Sequence, residues 1–223
     1  EGTNITTVED PVEYQLDGVN QVQIFEDIGL TFGSTLRSIL RQDPDILLIG
    51  EIRDGETADI AVKFSLTGHL VFTTVHANDA PGTITRLLDI GIAPFLVGSC
   101  LNLVMAQRLV RRICTNCKEE YQPTPQELVL VGLDPDRIKG SLYHGKGCTE
   151  CRNTGYIGRL AIFEMIPMTR ELRKLVYDNA NEDDIRQAAI DNGMITLREA
   201  GLARVLDGTT SVEEVLRSTV EEL

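Results

Sequence analysis

Three short runs of branched apolar residues constrain the fold of this chain more than any other feature: Ile5-Thr-Thr-Val8, Ile46-Leu-Leu-Ile49 and Leu70-Val-Phe-Thr-Thr-Val75. They are too short for helices and rich in β-branched residues, so each reads as a buried strand. Between the second and third, Glu56 to Ser65 carries Ala58, Ala61 and Phe64 at helical spacing and stops near Gly68. Before the second, Phe32 to Arg41 puts Phe32, Leu36, Ile39 and Leu40 on one helical face and must end before Pro44. Strand, helix, strand, helix, strand predicts an α/β fold, a parallel sheet covered by helices.

The residues just past each strand point to chemistry. The first strand runs into Glu9-Asp10-Pro11-Val12-Glu13, the second into Gly50-Glu51-Ile52-Arg53-Asp54, and the third into His76. In an open parallel sheet the carboxyl ends of the strands face the ligand crevice. Glu51 stands at the Walker B position, although the Asp that usually precedes it is Gly50. A carboxylate there holds a magnesium-bound water or orients the water that attacks a γ-phosphate. Glu9, Asp10 and Glu13 offer a general base and an indirect metal ligand. The plainer alternatives are a solvated strand end at Glu51, an acidic turn after the first strand and structural histidines. His69 and His76 flank the third strand and are expected at the same edge.

Two CxxC knuckles, Cys114-x-x-Cys117 and Cys148-x-x-Cys151, are separated by 30 residues. Four thiolates so spaced suit a structural zinc site with no position left for substrate. The alternative, two disulfides, is disfavoured in a reducing cytosol. Cys100, the fifth cysteine, reads as a small core residue. The insert between the knuckles carries Glu119, Glu120, Glu127, Asp134 and Asp136, and the formal net charge is −13. Both argue against nucleic acid, which needs a basic footprint.

No apolar run is long enough to span a bilayer. The nearest, Ile92 to Ala106, is broken by Pro94, Ser99 and Asn102 and reads as a packed helix. Arg108, Arg111 and Arg112 form a basic cluster beside the first knuckle that reads as a solvated helix end, the alternatives being a contact with a neighbouring subunit, a nucleotide or an acidic partner. Asn181 is positioned to cap a helix ending near Gly193, Thr196 one ending near Gly208, and Ser211-x-x-Glu214 reads as a capping box.

The stretches "ITTVEDPVEY", "LRSILRQDPDILLIGEIRD" and "TGHLVFTTVHAND" resemble the Asp box, Walker B and His box of the type II secretion and type IV pilus assembly ATPases. The resemblance continues through "MAQRLVRRIC" and "CRNTGYIGRLAIFEM", and the tetracysteine insert is similar to that of the secretion and pilus-extension branch. It implies a RecA-like ATPase, using ATP, Mg2+ and Zn2+, that works as a homo-hexamer. Its implied place is the cytoplasmic face of a bacterial inner membrane, peripheral to the bilayer and against an inner-membrane platform protein. Carried over by motif, Glu9, Asp10 and Glu13 form the Asp box, with Glu13 the candidate water-activating base. Glu51 is then the Walker B acid, and His69 and His76 the pair that senses phosphate. Arg37, Arg41, Arg53 and Arg86 are candidates for contacts between subunits, with Arg53 and Arg86 the candidate nucleotide-binding pair.

The family's phosphate loop, GxxxxGK[ST], is absent from the sequence and is expected before residue 1, in a longer parent chain. The 223 residues alone are therefore expected to be inactive. The expected division is residues 1–107 as the C-terminal part of the ATPase domain, 108–160 as the zinc-binding subdomain and 161–223 as a helical subdomain. The competing expectation is a non-catalytic, zinc-bearing interaction module on the same scaffold.

Overall fold

The computed structural model describes residues 2–132 and 141–219, so Asp134 and Asp136 of the acidic insert lie outside the described residues. The chain forms two compact units. The first comprises Glu1–Val104 and Pro167–Ala189, the second Met105–Ile166 and Ile190–Leu223.

In the first unit, β1 (Ile5–Glu9), β2 (Asn20–Gln23), β3 (Ile46–Ile49) and β4 (Leu70–Thr73) form a sheet in the order β2-β1-β3-β4, with every neighbouring pair parallel. Val8, Leu47 and Ile49 are fully buried, but β4 is not the buried strand expected: Leu70 and Phe72 are about half exposed, at 45% and 52%. Strand β2 carries no apolar run and no spacing announces it. Side-chain amides brace it instead: Gln21 Nε2 donates to Glu9 Oε1 at 2.9 Å, and Gln21 Oε1 accepts the Leu16 N–H at 2.7 Å.

Helix α1 (Phe32–Ile39) starts at a Thr31–Ser34 capping box, α2 (Gly55–Leu66) at Asp54, and α3 (Ala80–Asp89) at Asp79. At each start a side-chain oxygen accepts an otherwise unpaired N–H of the first turn. Leu36, Ala58 and Ile84 are the buried residues through which these helices face the core. The expected helix over Ile92 to Ala106 is only half correct. Helix α4 (Pro94–Cys100) ends as Leu101 turns extended, and β5 (Leu103–Ile113) begins. Burial then alternates with period two, Val104, Ala106 and Val110 inward, the repeat of a strand and not of a helix.

In the second unit β6 (Lys118–Tyr121), α5 (Pro125–Val131) and β7 (Leu142–Gly145) follow, with β6 and β7 antiparallel. Strand β8 (Tyr156–Pro167) pairs with β5 in a two-stranded ribbon. Helices α6 (Arg170–Tyr177) and α7 (Glu182–Asp191) group with the first unit, except the last residues of α7. There the Tyr177 ring covers Gly98 so closely that a Cβ would lie 2.5 Å from it, and Arg173 Nη1 donates to the Gly98 carbonyl.

Helices α8 (Leu197–Leu206) and α9 (Val212–Ser218) complete the second unit around Leu128, Leu142, Leu202, Val205, Val212 and Val215. The expected caps at Asn181 and Thr196 are present. At Ser211 only half of the expected box forms. Ser211 Oγ accepts the Glu214 N–H at 3.2 Å, but the Glu214 carboxylate is drawn to arginines instead.

Candidate functional site

The hydrogen bonding of β3 and β4 continues past their ends. Thr74 O accepts the Ile52 N–H at 3.0 Å, and Thr74 Oγ1 donates to the Gly50 carbonyl at 2.5 Å. This brings Glu51, two residues beyond β3, beside His76, three beyond β4. The His76 Nε2–H donates to Glu51 Oε2 at 2.9 Å, and Arg53 Nη2 donates to Oε1. Asp10, following β1, completes the edge, its Oδ2 4.0 Å from Arg53 Nη2. The sheet also explains why glycine precedes Glu51. A Cβ at Gly50 would lie 3.2 Å from the Val8 carbonyl and 3.3 Å from the Glu9 Cα, so an aspartate there would force β1 away.

The Glu51 side chain is only 15% exposed. The Arg53 guanidinium holds its carboxyl below the usual range; burial acts in the opposite sense, and the His76 hydrogen bond adds to the lowering. Glu51 in turn raises Arg53. At neutral pH the edge therefore presents an ionised carboxylate with both oxygens hydrogen-bonded, in a setting where charge has been arranged as functional sites arrange it.

The other expected residues separate. Glu9 turns back into the sheet, its Oε1 accepting from Thr7 Oγ1 at 2.6 Å and from Gln21. Glu13 lies exposed in the loop between β1 and β2, and Arg86 is exposed in the last turn of α3. Arg37 pairs with Glu56, and Arg41 Nη1 donates to the Arg37 carbonyl at 3.0 Å. His69 is not at the expected edge. It precedes β4 and so sits at the amino edge of the sheet, a strand's length from His76. Its ring stacks on Phe64 at 4.0 Å, and its Nδ1 lies 2.9 Å from Thr67 Oγ1. The parallel direction of β4 forces this, since residues before and after a strand leave from opposite edges.

Arg108, Arg111 and Arg112 lie on β5, so the expected helix end is corrected to a strand. Arg111 is bound to the buried Glu214 rather than solvated. Two further groupings carry no sequence signal, because their partners stand about a hundred residues apart: Arg111 with Glu214 and Arg186 with Asp79. Cys100 is half-buried, its thiol raised by burial.

The four knuckle cysteines converge, as their spacing predicts. Their sulfurs all lie within 4.8 Å of one another, with Cys114–Cys148 at 3.9 Å, Cys117–Cys151 at 3.8 Å and Cys148–Cys151 at 3.7 Å. No disulfide joins them. A tetrahedron of thiolates about 2.3 Å from zinc has edges of about 3.8 Å, so the donor set fits. N–H donors support it. The Cys148 and Gly155 amides donate to Cys151 Sγ at 3.2 and 3.3 Å, and Asn116 Nδ2 donates to Cys148 Sγ at 3.3 Å. Burial raises the Cys151 thiol, but the Cys148 and Gly155 amides and the neighbouring Cys148 and Cys117 thiols bring it down to about 6, while burial pushes Cys117 in the same cluster up to about 12. Four thiols so close ionise together only when a cation offsets their charge, as metal binding does.

A family model described as "Type II/IV secretion system protein" matches residues 1–217. The type IV pilus assembly ATPase PilB of Myxococcus xanthus is 51% identical over 222 residues, covering 99% of this chain and 39% of that protein. Type II secretion system protein E of Pseudomonas aeruginosa is 48% identical over 219 residues, covering 98% of this chain and 43% of that protein. The chain thus spans less than half the length of these curated relatives. The crystal structure of the pilus retraction motor PilT with bound ADP is similar with a TM-score of 0.69 at 25% identity, covering 98% of this chain and 53% of that one. The ATPase DotB of Yersinia pseudotuberculosis shares the fold with a TM-score of 0.70 at 21% identity, covering 97% and 49%.

Proposed function

Because the chain belongs to the type II/IV secretion system protein family, we propose that it is part of a motor ATPase that hydrolyses ATP to drive assembly of a pilus or a secretion pseudopilus. The observation that carries this reading is the Glu51 carboxylate, held between Arg53 and His76 where β1, β3 and β4 deliver their loops. In this reading Glu51 is the Walker B acid and orients the attacking water. Fixing that geometry before the reaction removes much of its entropic cost. Glu13, free to approach from its exposed loop, is the candidate base. His76 has one ring nitrogen on Glu51 and serves as the phosphate sensor. Arg53, beside both acids, and Arg86 are the candidate nucleotide contacts.

The oxygen donors at this edge suit a hard cation that keeps most of its water and takes one or two carboxylates. Glu51 and Asp10 are the residues that would hold magnesium. When bound, it neutralises charge on the phosphate oxygens. Zinc in the four-cysteine site is structural, since four protein thiolates leave no open position.

The complete protein, in this proposal, is a homo-hexamer at the cytoplasmic face of the inner membrane, acting on an inner-membrane platform protein. The relatives' names speak of pilus assembly and type II secretion, and among the described residues no helix is long and apolar enough to cross a membrane.

The test is Glu51→Gln in the complete protein, which keeps the shape and removes the charge. Nucleotide binding should persist while hydrolysis falls on the order of a hundredfold or more. Unchanged turnover would remove Glu51 from the mechanism.

A further inference from the structure

His76 hangs between two anchors. Upstream is Thr74, tied to Gly50 and Ile52 by backbone and hydroxyl hydrogen bonds. Downstream is Asp79, the N-cap of α3, whose Oδ1 accepts the Gly82 N–H at 2.8 Å and whose carbonyl accepts from Thr83 Oγ1 at 2.8 Å. The His76 side chain itself is 87% exposed, so packing does not set its position. Its ring is placed by the Glu51 hydrogen bond and by the short segment between these two anchors, in which Val75 and Ala77 are half-buried.

The downstream anchor is tied in turn to α7. Arg186 Nη2 donates to Asp79 Oδ2 at 2.8 Å and to Glu182 Oε1 at 2.7 Å. Both Asp79 and Arg186 are largely buried, at 22% and 29% exposure. Burial would lower the Arg186 pKa, but the two carboxylates outweigh it and raise it. Those carboxylates are close. The position a Cβ would take at Gly82 is 3.0 Å from Asp79 Oδ1 and 3.5 Å from Glu182 Oε2. Without the guanidinium between them, two like charges in a partly buried setting would repel. Asp79 is the member whose movement shifts the segment behind His76.

We propose that Arg186 is a positioning residue for the His76–Glu51 pair, holding the N-cap of α3 and through it the loop that presents His76 at the edge of the sheet. The inference deepens the reading of that edge as a nucleotide site and rests on it. It gives α7 a defined route to that edge: any movement of α7 that frees Arg186 relaxes the His76 loop.

The test begins with imidazole nitrogen resonances in the 223-residue chain, which has three histidines, His69, His76 and His144. Glu51→Gln should move the His76 Nε2 signal, because it alters its hydrogen-bond partner. In an Arg186→Gln background the same substitution should move it by less than half as much, with His144 unaffected. Asp79→Asn keeps a good N-cap and removes both the ion pair with Arg186 and the repulsion with Glu182, so it tests the tether alone. It should reproduce the effect, and it carries the test where Arg186→Gln does not fold. An undiminished Glu51→Gln displacement in these backgrounds would overturn the proposal and leave Arg186 a staple between helices. In the complete protein, Arg186→Gln should lower kcat about tenfold with KM within about twofold, the pattern of a misplaced group rather than of lost binding. Unchanged kcat would also overturn it. If Glu51→Gln leaves turnover intact while the resonance coupling stands, the nucleotide-site reading is what fails.

Discussion

Arg111 grips the buried carboxylate of Glu214 with Nε and Nη2 at 2.9 and 2.6 Å, while its own backbone N–H binds the other oxygen at 2.9 Å. Arg217, one turn on, adds two further bonds at 3.0 and 2.7 Å. The Arg111 guanidinium also lies 4.1 Å over the Tyr156 ring, whose hydroxyl meets Ser211 Oγ at 2.6 Å. A carboxylate with no exposed surface is tolerated only with such complete partnering. The network pins the end of β5 to the start of α9.

Breaking it should be costly and pH-dependent. Glu214→Ala removes the acceptor of the Arg111 backbone N–H and of both guanidinium groups, and because Arg111 and Arg217 are themselves partly exposed the cost is about 2 kcal/mol. Burial pushes the Glu214 carboxyl up, but its arginine partners and the Arg111 N–H bring it to about 2, below the ordinary 4.5. With the folded pKa depressed, the stabilisation is present in full above pH 4.5 and is lost as pH falls toward 2. Urea midpoints of the parent and Glu214→Gln should therefore converge through that window. A gap that stays constant with pH would refute the assignment.

Metal removal should act locally first. Purified under reducing conditions, the protein should carry about one zinc per chain. Lys118, next to Cys117, donates to the Gly208 carbonyl at 2.7 Å, and the Cys114 N–H donates to the Gly155 carbonyl at 2.9 Å. Chelation should therefore raise hydrogen exchange between Cys114 and Gly155 and around Gly208, before the sheet of the first unit exchanges. Elemental analysis showing no zinc would sink this expectation.

The two histidines beside β4 should behave differently. His69 is half-buried on Phe64 at the end of α2, so His69→Ala should lower stability by about 1 kcal/mol. His76 is exposed except for its bond to Glu51. His76→Ala should leave the denaturation midpoint nearly unchanged and lower turnover of the complete protein about tenfold or more. Equal effects of both substitutions on turnover at unchanged stability would contradict their separation to opposite edges.

Much of this molecule was readable in the order of its residues. The β-branched runs at Ile5, Ile46 and Leu70, with apolar positions spaced for helices between them, specify a parallel sheet, because side-chain period and burial are local properties of the chain. Each CxxC knuckle presents two thiols at once for an equally local reason, so the four ligands were nameable from spacing, although the two knuckles meet only across 34 residues in the fold. Threonine and asparagine caps at Thr196 and Asn181 were legible because they act within three residues. Even the placement of Glu51 and His76 came from each standing just after a parallel strand.

Tertiary structure decided what local pattern cannot carry. Strand β2 exists through amide hydrogen bonds to its neighbour, not through its own apolar content. The segment after Leu101 becomes a strand because β8, more than fifty residues later, supplies its partner. Of three acids near the end of β1, only Asp10 comes near Arg53, since Glu9 finds a closer partner in Gln21. Glu214 abandons its helix cap for an arginine 103 residues away, and Asp79 meets Arg186 across 107. Ion pairs depend on distance in space and on shielding from water, and neither exists until the chain has folded.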